Sequence, residues 1–167
     1  MFKLETERLS LRCFREEDCN RLYQILSDPE TMKFYPEPFS MEKTAAWIKK
    51  NQNRYEVDGF GLWSVCLKET NELIGDCGLV AQIVDNKREV EIGYHIDRNY
   101  WGKGYATEAA QACRNYGFEN LNVDKLISII DPENIQSIRV AEKIGFTREK
   151  DALIFGKVHS IYSSMKK

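Results

Sequence analysis

Tyr100-Trp101-Gly102-Lys103-Gly104-Tyr105-Ala106-Thr107-Glu108 is the stretch at which the chain changes its hydrophobic period. Before it, Val90, Ile92, Tyr94 and Ile96 alternate with Glu91, Gly93 and His95, the two-residue repeat of a half-buried strand. After it, Ala106, Ala109, Ala110, Cys113 and Tyr116 recur with the 3.6-residue spacing of a helix. Two glycines at such a junction let successive backbone N–H groups converge on one concavity. The helix that follows adds its own unpaired N–H groups and the positive end of its dipole. The turn is therefore read as a cradle for a pyrophosphate, with Lys103 and Arg98 as nearby cations. It is not a P-loop, because Gly102-Lys103 is followed by Gly104 where Ser or Thr is required. It also lacks the third glycine of a dinucleotide fingerprint, Thr107 standing there.

Working outward from this turn, Gly61–Leu67, Leu73–Ile83 and Val90–Ile96 are three strands with short connections, the first joined to the second through Thr70-Asn71. Short connections predict an antiparallel meander. Upstream, Leu9–Phe14 reads as a first strand, Asp18 as the cap of a helix bearing Leu22, Ile25 and Leu26, and 28–39 as a proline-broken loop. Ser40 caps a second helix whose inner stripe is predicted as Met41, Ala45 and Ile48. Downstream, Lys125–Ile130 is an apolar run suited to a buried strand. Asp131–Asn134 opens a helix with Ile135, Ile138, Ala141 and Ile144 inward, ended by Gly145. A hairpin of Phe146–Lys150 and Lys157–Met165 closes the chain. The order β, α, α, β, β, β, α, β, α, β, β describes one α/β domain over residues 1–167: a twisted, mostly antiparallel sheet flanked by about four helices.

Bulk properties narrow the function classes. The net charge of −2 in 167 residues argues against general attraction to nucleic acid or an anionic membrane. The five cysteines have no CxxC spacing and the two histidines are far apart, so no metal site is expected. The start lacks a signal-peptide core and no stretch is apolar enough to span a bilayer, which predicts a cytoplasmic protein with reduced thiols.

A second constellation gives the turn a context. Asn134-Ile135-Gln136-Ser137-Ile138-Arg139-Val140-Ala141-Glu142-Lys143-Ile144-Gly145-Phe146 resembles the second signature of the GNAT N-acetyltransferases. The glycine turn resembles that family's acetyl-CoA motif, (Q/R)xxGx(G/A), with Gly104 and Ala106 in place and Trp101 departing from the usual Gln or Arg. The form of both motifs, and Glu5-Thr6-Glu7-Arg8-Leu9-x-Leu11-Arg12, look like the branch that acetylates ribosomal-protein N-termini. The resemblance runs in order along essentially the whole chain. It implies acetyl-CoA as co-substrate, with the amides of Trp101, Gly102, Lys103, Gly104, Tyr105, Ala106 and Thr107 on the pyrophosphate. It further implies pantetheine alongside Tyr94, His95 and Ile96, in a gap splayed from Lys125–Ile130, and a bond from Asn134. On physics alone Asn134 is equally a plain helix N-cap.

Acetyl transfer to a primary amine requires a neutral amine, a donor to the tetrahedral oxyanion and a route for the thiolate to leave. Direct transfer in a ternary complex is preferred, because no Cys-His-acid pattern offers a covalent route. Glu91, which matches a family position often assigned as base, is the first candidate and His95 on the same strand face the second. Where many relatives carry a tyrosine near the sulfur this chain has Ala141, and Ser137, one turn earlier, resembles the residue used by the ribosomal branch. The oxyanion donor is expected among backbone N–H groups near Tyr94–His95. The resemblance places the acceptor among Phe34, Tyr35, Trp47, Trp63, His159 and Tyr162. It leaves open a peptide α-amine, a small-molecule amine (a polyamine, an antibiotic or an amino acid), or a non-catalytic CoA-binding module, and a monomer or homodimer.

Overall fold

The computed structural model describes residues 2–167 as one eight-stranded sheet covered by helices on both faces. In chain order the elements are β1 (Lys3–Glu5), β2 (Leu9–Arg12), α1 (Cys19–Leu26), α2 (Met41–Val57), β3 (Leu62–Leu67), β4 (Leu73–Val84) and β5 (Lys87–Ile96). There follow α3 (Tyr105–Glu119), β6 (Lys125–Ile130), α4 (Ile135–Lys143), β7 (Thr147–Ile154) and β8 (Lys157–Met165). The strands lie in the order β1-β2-β3-β4-β5-β6-β8-β7. Every neighbouring pair is antiparallel except β5 and β6.

The α/β class and the meander agree with the sequence. The differences lie in local detail. Lys3–Glu5 forms an additional strand, which three residues without an apolar repeat did not announce. Asp18 does not cap α1 with its side chain; its carboxylate instead receives both arms of Arg12, each at 2.9 Å, and the Arg15 N–H at 2.8 Å. Ser40 does cap α2, accepting from the Lys43 N–H. The buried stripe of α2 is Thr44, Ile48 and Asn51, while Met41 is exposed. The polar pair is tolerated because Thr44 Oγ1 donates to the Ser40 carbonyl and Asn51 Oδ1 accepts from the Leu62 N–H. On α4, Ala141 and Ile144 are buried but Ile135 is exposed at the helix start.

Two cores share the sheet. Leu22, Ile25 and Leu26 of α1 and Ile48 of α2 pack with Leu62 and Val80 on one face. Trp63, Leu79 and Ile92 pack with Ala109, Ala110 and Cys113 of α3 and Ala141 of α4 on the other. Burial of a single large aliphatic side chain contributes about 1.5–3 kcal/mol, so these layers fix the sheet's curvature and its faces. The β4–β5 hairpin turns at Asp85-Asn86, both with positive φ, as a two-residue hairpin turn demands. Its register is unbroken from Val84↔Lys87 to Gly75↔Ile96.

On its other side β5 is barely paired. The only bridge to β6 is Glu91↔Ile127, after which the two strands diverge. The backbone edge of residues 92–96 that faces β6 is left without a ladder.

Candidate active site

A cavity of about 630 Å³ opens where β5 and β6 part. It reaches both faces of the sheet. Alternation along β5 sends Glu91 and His95 to the face covered by α1 and α2, and Ile92 and Tyr94 to the face covered by α3 and α4. All four line the same cavity.

On the α1/α2 face, Glu91 Oε1 accepts from Gln82 Nε2 at 3.0 Å. Burial pushes its carboxyl up to about 7, against the opposite pull of the Gln82 hydrogen bond and of Arg54 and His95. A carboxylate so placed exchanges its proton near neutral pH. His95 Nδ1 lies 2.8 Å from Asp76 Oδ1, and Trp47 Nε1 donates to Asp76 Oδ2 at 3.1 Å. Asp76 is fully buried, and cross-strand register places it opposite His95. An imidazole backed by a carboxylate at Nδ1 presents Nε2 as its acceptor. That Nε2 is buried and has no hydrogen-bond partner. The Tyr35 ring sits 4.7 Å from the His95 ring at the cavity mouth.

On the other face, the Tyr94 hydroxyl donates to Ser137 Oγ at 2.9 Å. Burial pushes the Tyr94 phenol up to about 12, although its bond to Ser137 pulls the other way, so it stays protonated at neutral pH. Asn134 caps α4, its Oδ1 accepting from the Ser137 N–H at 3.2 Å. The cap fixes the serine, and both residues face the cavity.

The glycine turn lies outside the cavity walls, on the surface before α3. Gly102 and Gly104 have φ of 78° and 82°, left-handed values that favour glycine. The first intrahelical bond runs from the Glu108 N–H to the Gly104 carbonyl, so the N–H groups of Tyr105, Ala106 and Thr107 point out without a helical acceptor. Ala110 of α3 lines the cavity, six residues or about 9 Å further along. Trp101 Nε1 donates to the Ile96 carbonyl at 2.7 Å, which ties the turn to the end of β5. Glu108 anchors the opening strand, accepting from Thr6 Oγ1 at 2.5 Å, the Arg8 N–H at 2.9 Å and Arg8 Nε at 2.7 Å. Burial pulls the Glu108 carboxyl upward, but these hydrogen bonds outweigh it and hold the group below its usual range. Arg98, expected beside the turn, pairs with Asp28 at 3.2 Å.

Of the expected acceptor residues, Phe34, Tyr35, Trp47 and His159 line the cavity. Trp63 does not. Its register places it on the α3 face, stacked on Phe2 at 4.0 Å and edge-on to Tyr116, with 1% of its surface exposed. Tyr162 is likewise part of that core and contributes nothing to the cavity wall. Asp76 and Gln82 escaped the sequence reading, because a polar residue inside a strand gains meaning only from its cross-strand partner.

A family model for the acetyltransferase (GNAT) domain matches residues 8–147. The chain belongs to the GNAT acetyltransferases. YkkB of Bacillus subtilis is 40% identical over 161 residues, covering 96% of this chain and 94% of that protein. An N-acetyltransferase named p20 from Bacillus licheniformis is 39% identical over 151 residues, covering 89% and 84%. The crystal structure of a GNAT-family acetyltransferase from Bacillus anthracis superposes with a TM-score of 0.85 at 30% identity, covering 99% of each chain. Spermidine N(1)-acetyltransferase of Escherichia coli is 29% identical over 154 residues, covering 87% of this chain and 76% of that one. The ribosomal L7/L12 α-N-protein acetyltransferase RimL, solved with coenzyme A, shares the fold at a TM-score of 0.79 and 19% identity, covering 98% of each chain. The acceptors that the names of these two similar proteins give differ in kind.

Proposed function

We propose that the protein transfers the acetyl group of acetyl-CoA directly to a primary amine held on the α1/α2 face. The observation that carries this reading is the cavity through the β5–β6 gap. Base candidates stand at one mouth and a hydrogen-bonded hydroxyl pair at the other. The turn Trp101–Thr107 fits a pyrophosphate through its outward amides, and the unpaired edge of β5 fits an extended pantetheine, with Asn134 at its side. RimL, of the same fold, was solved with coenzyme A, which supports that assignment.

In the transfer the amine nitrogen bonds to the acetyl carbon, the carbon–sulfur bond breaks, and one proton passes from nitrogen to sulfur. Glu91 takes the proton as the amine arrives. A carboxylate titrating near 7 matches an α-amine at about 7.7–8.0 better than a lysine-type amine at about 10.4. Free N–H groups on the splayed edge of β5 face the developing oxyanion. Ser137 donates toward the sulfur, and the Tyr94 hydroxyl behind it supports the serine oxygen as the thiolate forms. An acceptor with an α-amine, a peptide N-terminus or a small amine, is the reading this chemistry favours.

His95 is a second candidate base, favoured by its unpartnered Nε2 and by Asp76 behind it. Acetyl transfer from acetyl-CoA to an amine panel, followed by CoA release, tests both. Glu91→Gln is expected to bind acetyl-CoA normally in a thermal-shift titration and to lose about 10²-fold or more in rate. A Glu91→Gln enzyme with full activity, beside an inactive His95→Asn, would transfer the role to His95. Activity surviving in both would remove either residue as the base.

A further inference from the structure

On α2, Lys43, Trp47, Lys50 and Arg54 follow one another at intervals of four, three and four residues, a single stripe of a helix. All four line the α1/α2 side of the cavity, and Lys33 joins them from the preceding loop. Among the described residues none of these cations is paired with a carboxylate, the ion pairs of the molecule falling on other groups. The cavity's acids are Glu91, engaged by Gln82, and Asp131, bonded to Lys157. A chain of net charge −2 thus lines its acceptor mouth with free positive charge.

Arg54 is the best held of these groups. Buried Asn51 accepts from its Nη1 at 3.0 Å, and the guanidinium lies 5.8 Å from the Trp47 ring. Asn51 is itself fixed by the Leu62 N–H and the Trp47 carbonyl. The remaining donors of the fork are uncommitted, in a geometry that matches a carboxylate or phosphate. Lys50 and Arg54 also stand at i, i+4, where like charges destabilise a helix. The Glu91 carboxylate attracts Arg54, but the i, i+4 repulsion with Lys50 is offset further by an anion bound between the two.

We infer that the acceptor is a small amine bearing a carboxylate or phosphate, its anionic group bound by Arg54 with Lys50 and its amine at Glu91 and His95. The inference rests on the acetyl-transfer reading of the same cavity. A polyamine would bring its second cation against the stripe and be repelled.

The purified enzyme is assayed with acetyl-CoA and free L-amino acids, their α-amides, O-phosphoethanolamine, peptides and spermidine. A carboxylate- or phosphate-bearing small amine is expected to exceed its neutral counterpart by about tenfold or more in kcat/KM, in line with a charge-assisted hydrogen bond. Free amino acids against O-phosphoethanolamine separate the two anions. Arg54→Gln should collapse the carboxylate-to-amide ratio toward one, and Lys50→Gln should reduce it less. If turnover is absent, stabilisation of the CoA complex by the anionic amines, lost in Arg54→Gln, is the supporting result. Preference for spermidine, an amide or a peptide, a ratio that survives Arg54→Gln, or no binding of any anionic amine would overturn the inference while leaving acetyl transfer intact. Failure of acetyl-CoA itself to bind would overturn both.

Discussion

Glu91 illustrates what one residue reveals in sequence and in space. Its place on the polar side of a strand, its spacing from His95 and the family match are all readable from the chain. The burial that lifts its carboxyl to about 7, against the pull of Gln82 and Arg54, is not, because it depends on elements distant in the chain that wall the same cavity. The lifted value has a stability consequence. The unfolded chain releases this proton near 4.3 and the folded chain near 7, so between those values the folded state holds more protons. Its contribution to stability is complete below about 4.3, falls as pH rises and levels off above about 7. Glu91→Gln removes the ionisation, so the variant should gain on the wild type, by roughly 3 kcal/mol, between pH 4.5 and pH 8. Thermal or urea unfolding at the two values measures it. A constant difference would mean the carboxylate is solvated in the fold. Trp63 shows the opposite limit: an aromatic in a strand advertises packing, but only the pairing Trp63↔Cys77 decides which face it packs on.

At the scale of elements, β4 and β5 form a rigid floor under the site, and their glycines divide into two kinds. Gly75 and Gly78 are squeezed: a Cβ on Gly75 would stand 2.0 Å from the His95 carbonyl oxygen, and one on Gly78 would stand 2.1 Å from that of Gly61. Gly93 is different, with Leu62 Cδ2 at 3.6 Å and Glu91 Oε2 at 3.9 Å as the nearest atoms to an added Cβ. Gly75→Ala should therefore destabilise the fold by more than about 2 kcal/mol through backbone displacement. Gly93→Ala should fold with a change below about 1 kcal/mol, yet its methyl projects between Glu91 and His95 into the cavity. We expect it to lower kcat/KM about tenfold or more while leaving acetyl-CoA affinity within twofold. Paired unfolding and kinetic measurements test the contrast, and full activity in Gly93→Ala would remove the acceptor from that face. The meander, the helix periods and the limits of β6 were legible because pattern and packing agree there. The inner stripe of α2 was not, since Thr44 and Asn51 are buried by virtue of hydrogen bonds that apolar periodicity cannot encode.

The whole molecule is a sheet in two parts, β1–β5 and β6–β8, whose strands are joined by one bridge at Glu91↔Ile127. Sequence displays the strands on each side, but their divergence is a property of register and twist that neither strand carries alone. A ligand lying along the edge of residues 92–96 would satisfy backbone groups that no β6 ladder satisfies, and would hold the two parts together. Its effect should consequently be both global and localised. At one hundred times its Kd, CoA or acetyl-CoA should stabilise the protein by about 2.7 kcal/mol, which in a domain of this size raises Tm by roughly 5–11 °C. NAD, lacking the pantetheine arm, should not. Hydrogen exchange in the same samples should slow most at the gap-facing amides of Tyr94 and Ile96 and at those of 102–107, with β2, β3 and β7 changing only as far as global stability requires. Protection confined to 102–107 would indicate phosphate binding without a pantetheine strand. Equal protection across the whole sheet would show that the ligand acts through global stability and that the β5–β6 gap is not its seat.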